Sequence, residues 1–408
     1  MDRAPSAQPA PADLVVEELP PADWGAHPRT LADVLPWIGA TLLDPGAATE
    51  GMPHLAASTV VLLMVDGLGD RLLQRHADDA PTLARLRAAT LRAGFPSTTA
   101  TSITSLTTGA PCGVHGIIGY AFRPDDDSRT RGTPRLLNAL RWTMDSSGGP
   151  SALVTYPPNL VAPLAGALAG LADAGVEISY VMPGEFRGTG LTQVAFRATG
   201  RYWPANSSDS VLDGVVNTLV RRSKRPRFVY AYLSDLDAAG HRYGPGSPEW
   251  LGALRTVDRL VADIASSLPA DASLAVTGDH GMLAAGRRID LDVEDALTAG
   301  VAMIAGEPRV RHLYTEDGAR DDVLAAWAQV VGDDDARTAT REQVLDEGWF
   351  GHAVPPRIAS RIGDIVAVGQ GTTVLVRSEA EPSEAKMIGH HGAWTADEQL
   401  VPLLVASG

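Results

Sequence analysis

The sequence predicts an α/β protein: a three-layer α/β/α sandwich on a mostly parallel central sheet, with a small α+β insertion. Three observations predict it. Short apolar runs at Thr59–Val65 (TVVLLMV), Arg227–Leu233 (RFVYAYL) and Ser273–Thr277 (SLAVT) read as strands buried on both faces, as in parallel sheets. Amphipathic helical segments separate them; after Ser247-Pro248-Glu249, residues Trp250, Leu254, Val257, Val261, Ile264 and Leu268 fall on one face. Each run then stops at a carboxylate: Asp66-Gly67, Ser234-Asp235-Leu236-Asp237 and Gly278-Asp279-His280-Gly281. In open α/β sheets, ligands bind at the carboxyl ends of the strands.

In chain order, residues 1–25 are Pro- and Ala-rich and read as a flexible N-terminal arm. The catalytic α/β core is placed at 26–282, an inserted α+β subdomain at 283–385, and a C-terminal return to the core at 386–408. Thr30–Leu43 reads as a short helix. Pro81 opens another in its first turn, with Leu83, Leu86 and Leu91 pointing inward. A helix from about Thr99, with Ala100, Ile103 and Leu106 as its apolar positions, stops at Gly109. Arg123–Arg135 is charged and turn-rich, which predicts a surface loop. Ser151–Tyr156 and Glu177–Val181 read as strands, Ala162–Ala174 as a helix, and Gly184–Thr192 as a Gly/Thr loop. Val211, Leu212, Val215, Val216 and Leu219 form a helical stripe. In 283–385, strands at Arg309–Tyr314, Ile365–Val368 and Thr373–Val376 alternate with helices at Asp321–Val331 and Arg341–Glu347, and no chemistry-bearing cluster stands out.

The 408 residues suffice for one large domain or two smaller ones. No apolar run approaches a membrane span, and no basic start with an apolar core suggests a secretory signal. A single cysteine, Cys112, rules out an intrachain disulfide, so the cytoplasm is the expected location. The net charge of −15, from 34 basic and 49 acidic residues, argues against binding a nucleic-acid backbone through a basic face. A small phosphate ester remains compatible, provided neutralising charge is local; bound metal ions supply it.

Gly94-Phe95-Pro96-Ser97-Thr98-Thr99-Ala100-Thr101-Ser102 places hydroxyls at a helix start, where free N–H groups favour an alkoxide or a bound phosphate. With Thr99, the strand-end residues Asp66, Asp237, His241, Asp279, His280 and His391 form a set of carboxylates and imidazoles suited to zinc or another divalent transition metal. Six such ligands and a hydroxyl exceed one tetrahedral ion. They suit two ions, which paired sites hold roughly 3.5–4 Å apart.

These motifs carry a resemblance. Asp66-Gly67, the Phe95-Pro-Ser-Thr-Thr to Thr107-Thr-Gly segment, Val114-His-Gly-Ile-Ile, Leu236-Asp-Ala-Ala-Gly-His-Arg-Tyr-Gly-Pro, Thr277-Gly-Asp-His-Gly-Met and Gly389-His-His-Gly resemble the nucleotide pyrophosphatase/phosphodiesterase branch of the alkaline phosphatase superfamily. The resemblance is close over 58–120, 227–282 and 387–394 and weak over 121–226 and 283–385. It implies a phosphate-ester hydrolase, of phosphodiesterase or nucleotide pyrophosphatase type, with Thr99 as nucleophile and a phospho-threonine intermediate. It implies that Asp66, Asp279 and His280 hold one divalent ion beside Thr99, and that Asp237, His241 and His391 hold the other; zinc is the expected metal and manganese the alternative. Tyr120 falls where the family carries a phosphoryl-binding Asn, and can also donate a hydrogen bond. Ala100 falls where the family has a base-stacking aromatic, so nucleobase recognition of that type is not implied.

Simpler readings stand beside these. An isolated Asp-Gly after a strand is ordinarily a turn. Thr98, Thr101 and Ser102 read as helix caps. The Gly-x-His-Gly frame selects His391 over His390. His115 reads as structural, and His27, His54, His76, His312 and His352 as surface or structural; Cys112 reads as a small packed residue. The alternative functions are a phosphomonoesterase or a phosphonoacetate-type C–P hydrolase on the same scaffold, and a non-catalytic metal-dependent binding protein. The modified-residue motif of sulfatases, C/S-x-P-x-R, is absent.

Overall fold

Strand β1, Thr59–Val65, has all seven residues buried, because helices cover it on both sides. Val60, Leu62 and Met64 face one hydrophobic core, while Val61, Leu63 and Val65 face another. This alternation across a doubly covered strand is the central layer of a three-layer sandwich. The computed structural model describes residues 16–21, 29–44, 46, 48–55, 57–124, 135–145, 149–221 and 223–408.

The strands of the two larger sheets are, besides β1, β2 Arg87–Arg92, β3 Glu177–Met182, β4 Arg201–Pro204, β5 Arg227–Leu233 and β6 Ala272–Thr277; then β7 Val301–Glu307, β8 Val310–Thr315, β9 Ala336–Thr340 and β10 Ile365–Gly369; and β11 Leu400–Ser407. The central sheet has seven strands in the order β2-β11-β6-β1-β5-β3-β4. β1 runs parallel to β5 and β6, with Val65 opposite Leu233 and Met64 opposite Thr277. Asp66, Ser234 and Gly278 therefore leave the sheet at one edge. β11 is antiparallel to both β6 and β2, so the sheet is mixed.

Four helices matter for the site or its support: α1 Val34–Leu43, α2 Thr99–Thr108, α3 Asp235–Tyr243 and α4 Pro248–Ser266. α1 and α2 pack on one face of the sheet through Trp37, Ile38, Ile103 and Leu106. α4 packs on the other through Trp250, Leu254, Val257, Val261 and Ile264. No helix among the described residues is long and apolar enough to cross a membrane.

The structure corrects several sequence expectations. The helix opened by Pro81 ends at Leu86, and Leu91 is buried from strand β2, not from a helix. β2 exists because β11 pairs with it, a partner about 310 residues later that no local pattern reveals. Ser151–Tyr156 makes only an isolated bridge, Thr143 to Ser151. Gly184–Thr192 is not a loop throughout: a helix, Gly190–Ala195, starts where the Thr189 hydroxyl accepts from the Thr192 N–H at 3.3 Å. Most of the Arg123–Arg135 segment lies outside the described residues, as does most of the N-terminal arm. Of that arm, residues 16–21 run along the C-terminal segment, where Glu18 bridges Thr395 and the Pro20 carbonyl accepts from Arg92 at 2.7 Å.

Residues 283–385 carry a four-stranded antiparallel sheet in the order β7-β8-β10-β9. It has its own core around Leu297, Leu313, Val323, Trp327 and Ile365. A separate cluster joins it to the segments around Thr99 and His391: Phe95, Trp349, Phe350, Val366 and Trp394 pack together, with Phe95 and Trp394 ring centroids 4.5 Å apart.

Candidate active site

The carboxyl edge of the sheet gathers the predicted ligands. Asp66 follows β1 directly, and Gly67 then turns with φ +74°. A Cβ at Gly67 would lie 3.0 Å from the Asp237 Cα, so this close approach requires glycine. The Gly67 N–H donates to Asp279 Oδ1 at 3.1 Å, tying the ends of β1 and β6 together. α3 presents Asp237 and His241 one turn apart on the same face. His391 arrives from the far end of the chain just after the short strand Gly389–His390, which pairs with Leu283–Ala284. A Cβ at Gly389 would fall 2.4 Å from the Gly240 carbonyl, so glycine lets this strand lie against α3.

Thr99 is the first residue of α2 and is nearly buried. Its Oγ1 lies 3.2 Å from His280 Nε2. The same nitrogen is 3.4 Å from Asp66 Oδ1 and 3.5 Å from Asp279 Oδ2. Alongside, Asp237 Oδ1 is 3.3 Å from His241 Nε2 and 4.0 Å from His391 Nε2. The His280 and His391 rings stack with centroids 3.5 Å apart and 12° between planes, joining the two groups.

Each imidazole is oriented the same way. Nδ1 of His241 faces the Gly389 carbonyl at 2.8 Å, Nδ1 of His280 the Gly281 carbonyl at 3.0 Å, and Nδ1 of His391 the Ser97 carbonyl at 2.9 Å. A carbonyl only accepts, so Nδ1 carries the hydrogen and Nε2 offers a lone pair to the centre. Three carboxylate oxygens complete the ring: Asp66 Oδ1, Asp237 Oδ1 and Asp279 Oδ2 are buried without a hydrogen-bond partner. Burial, together with Asp279 and Asp237, pushes the Asp66 carboxyl well above the usual carboxylate range. Burial also raises Asp279 and, with His280 and His241, drives His391 far below the ordinary imidazole value.

Orphaned carboxylate oxygens facing imidazole lone pairs are costly without a cation and well suited to one. Two ligand triads lie within 4.8 Å: Asp237–His241–His391 and Asp66–Asp237–His280. The structure thus brings all seven predicted residues together. Asp237 stands between the two groups instead of belonging to one alone.

Tyr120 lines the same cavity, but its hydroxyl is directed to Glu384 Oε1 at 3.5 Å. Thr98 caps α2 without a side-chain cap bond; its hydroxyl is bonded to Glu307. Thr101 bonds the Ile117 carbonyl at 3.2 Å, so the cap reading does not hold for it either. His390 is turned toward the Met387 carbonyl at 3.1 Å.

The cavity has a volume of about 600 Å³. Ile103, Met182, Phe186, Leu191 and Phe196 give part of its wall an apolar character. The sequence pattern missed several wall residues. Tyr232, near the end of β5, donates its hydroxyl to Asp66 Oδ2 and fixes Oδ1 toward His280. Tyr230 also lines the cavity. Residues 283–385, read from sequence as lacking chemistry, contribute Glu307, Glu381 and Glu384. Burial pushes the Glu307 carboxyl up to about 8, against the lowering effect of the Thr98 hydroxyl and Arg311.

The sequence pattern described as "Type I phosphodiesterase / nucleotide pyrophosphatase" matches residues 60–394. A 65-residue stretch is 38% identical to human ectonucleotide pyrophosphatase/phosphodiesterase family member 7, and this match spans 15% of this chain and 14% of that protein. The fold is similar to that of murine ectonucleotide pyrophosphatase/phosphodiesterase 5, with TM-score 0.64, 17% identity and coverage of 86% of this chain and 88% of that one. An inactive variant of the murine protein has been solved with AMP, and it matches with TM-score 0.64, 17% identity and coverage of 85% and 87%. Phosphonoacetate hydrolase from Sinorhizobium meliloti, solved with phosphonoformate, matches with TM-score 0.62, 21% identity and coverage of 88% and 92%. At these identities the structures speak for the fold, an alkaline phosphatase-like α/β sandwich, while the pattern over 60–394 carries the family assignment. The chain belongs to the type I phosphodiesterase/nucleotide pyrophosphatase family of phosphoric ester hydrolases.

Proposed function

We propose that this protein is a metal-dependent phosphodiesterase in which Thr99 is the nucleophile and a phospho-threonine the intermediate. The observation that carries this reading is the position of Thr99 Oγ1, 3.2 Å from His280 Nε2, beside the partnerless oxygens of Asp66 and Asp279. Asp66, Asp279 and His280 would hold one divalent ion, and Asp237, His241 and His391 the other; the donor set favours zinc, with manganese the alternative. When bound, such ions lower the pKa of a neighbouring hydroxyl and neutralise phosphoryl oxygens.

The chain's own residues do the rest. Thr99 sits where the free N–H groups and dipole of α2 stabilise negative charge. The Thr99 hydroxyl gives up its proton to solvent, its oxygen attacks phosphorus in line, the bond to the leaving alcohol breaks, and that oxygen departs with the electron pair and takes up a proton. Water then attacks the phospho-threonine from the opposite side and frees the Thr99 hydroxyl. Tyr232 keeps Asp66 oriented throughout. The apolar wall residues Phe186 and Phe196 would receive the leaving group and keep it from water.

A second reading has an observation of its own: Tyr120 replaces the phosphoryl-binding Asn and is directed to Glu384. It favours a monoesterase or a C–P hydrolase of the phosphonoacetate type. The two separate on turnover of bis(4-nitrophenyl) phosphate, 4-nitrophenyl phosphate and phosphonoacetate. The diester should be turned over fastest; faster turnover of the monoester or the phosphonate would overturn the diesterase assignment.

A further inference from the structure

The cavity holds a second polar patch, which the metal ligands leave unused. It comes from the insertion: Glu307 ends β7, and Glu381 and Glu384 follow the last strand of that region. Glu307 is 6% exposed and Glu381 3% exposed, yet both line the cavity. Glu307 Oε1 and Glu381 Oε1 are buried with no hydrogen-bond partner. Other oxygens of the patch are engaged. Glu381 Oε2 faces Arg311 Nη1 at 2.8 Å, the Thr98 hydroxyl bonds the Glu307 carboxyl, and Glu384 Oε1 accepts from Tyr120.

Of the nearby cations, Arg311 pairs with Glu381 while its Nη1 and Nη2 make no hydrogen bond, and Arg309 is committed elsewhere. Arg309 is clasped by Glu398, with Nε at 2.9 Å and Nη2 at 2.8 Å. Neither Arg309 nor Arg311 reaches the cavity wall, where Arg141 is the one basic side chain other than histidine among the described residues. Glu307 Oε1 and Glu381 Oε1 therefore lack a donor, and the three carboxylates of the patch share one adjoining guanidinium, that of Arg311, an excess of acceptors that is expensive unless something arrives to satisfy it.

We propose that Glu307 and Glu381 form a subsite for a protonated primary amine carried by the substrate, so that the preferred ester is an aminoalkyl phosphodiester. This rests on the ester-hydrolase reading above. An ammonium group brings three N–H donors and one positive charge, enough for both orphaned oxygens and a third acceptor. A hydroxyl brings one donor and no charge. A quaternary ammonium brings charge but no N–H. A carboxylate or second phosphate would meet Glu307, Glu381 and Glu384 and be repelled.

The test compares kcat/KM for three esters on the metal-loaded full chain: 4-nitrophenyl 2-aminoethyl phosphate, its ethyl counterpart, and its trimethylammonioethyl counterpart. The aminoethyl ester should be preferred at least tenfold over each of the other two. A smaller preference over the ethyl ester overturns the subsite, and equal turnover of the quaternary ester overturns the assignment of a primary amine. In the double variant Glu307→Gln, Glu381→Gln, the aminoethyl-to-ethyl ratio should fall at least tenfold; an unchanged ratio in the folded variant also overturns the subsite. The wild-type ratios stand whether or not that variant folds. Turnover of the ethyl ester without an amine preference removes the subsite alone, whereas a metal-loaded chain that hydrolyses none of the three removes the hydrolase reading and the subsite with it.

Discussion

Thr99 Oγ1 lies 3.2 Å from His280 Nε2, although the two residues are 181 positions apart and enter from different elements. Thr99 opens α2, and His280 follows β6 at the carboxyl edge of the sheet. The same imidazole nitrogen lies 3.4 Å from Asp66 Oδ1 and 3.5 Å from Asp279 Oδ2, both without a hydrogen-bond partner, and the proposed activation of the Thr99 hydroxyl rests on this grouping.

Replacing that hydroxyl is the first consequence. Thr99→Ala should lower diester kcat by roughly a thousandfold or more, since nucleophilic attack is lost while the remaining electrostatic stabilisation persists. Metal content should stay at the wild-type value, because Asp66, Asp279 and His280 are untouched. Steady-state kinetics beside metal analysis of the same sample checks both; turnover near wild type would remove Thr99 from the chemistry.

Metal removal should act on stability as well as on turnover. Asp66, Asp237 and Asp279 are drawn together with oxygens that have no partner. A bound divalent ion offsets their repulsion and stabilises the folded state by mass action. Dialysis against a chelator should abolish ester turnover and lower the melting temperature, and zinc should restore both. Differential scanning calorimetry at several zinc concentrations reads the effect as a rising transition temperature.

Tyr232 is expected to act through Asp66. Tyr232→Phe keeps the buried ring but removes the hydroxyl that holds Asp66 Oδ2. Loss of such an outer partner typically weakens metal affinity about 10- to 100-fold. Titration of the metal-free protein against a competing chelator should show that drop for one of two ions, with the circular dichroism spectrum unchanged.

The Arg309–Glu398 pair is fully buried, and Glu398 also accepts from the Ala393 N–H at 2.9 Å and the Thr395 hydroxyl at 2.7 Å. It braces the segment that follows His391. Glu398→Gln leaves Arg309 buried without its counter-charge, so a loss of about 3–5 kcal/mol is expected. Asp321→Asn, at an exposed ion pair with Arg320, should change stability by about 0.5 kcal/mol or less. Urea unfolding of the two variants compares them directly.

Much of the site could be read from the chain because its residues are local signals at strand ends. Asp66, Asp237 and Asp279 each terminate an apolar run, and parallel strands in register place those ends on one edge. The spacing Asp237 to His241 needs only one turn of α3. What escaped the sequence depends on distant partners. β2 is a strand because β11 lies beside it, so helix periodicity over Leu83, Leu86 and Leu91 misled. Tyr232 looked like another apolar strand residue, and nothing local says that its hydroxyl meets Asp66. Glu307 and Glu381 lie in a region with no motif, and long-range contacts such as Phe350 against Phe95 and Arg309 to Glu398 join that region to the cavity side of the core.

The number of divalent ions per chain tests the central claim most directly. Metal analysis of the wild-type protein, beside His241→Ala and Asp66→Asn, should give two ions per chain for the wild type and about one for each variant. A wild-type chain that binds one ion or none while hydrolysing the diester at full rate would contradict the account.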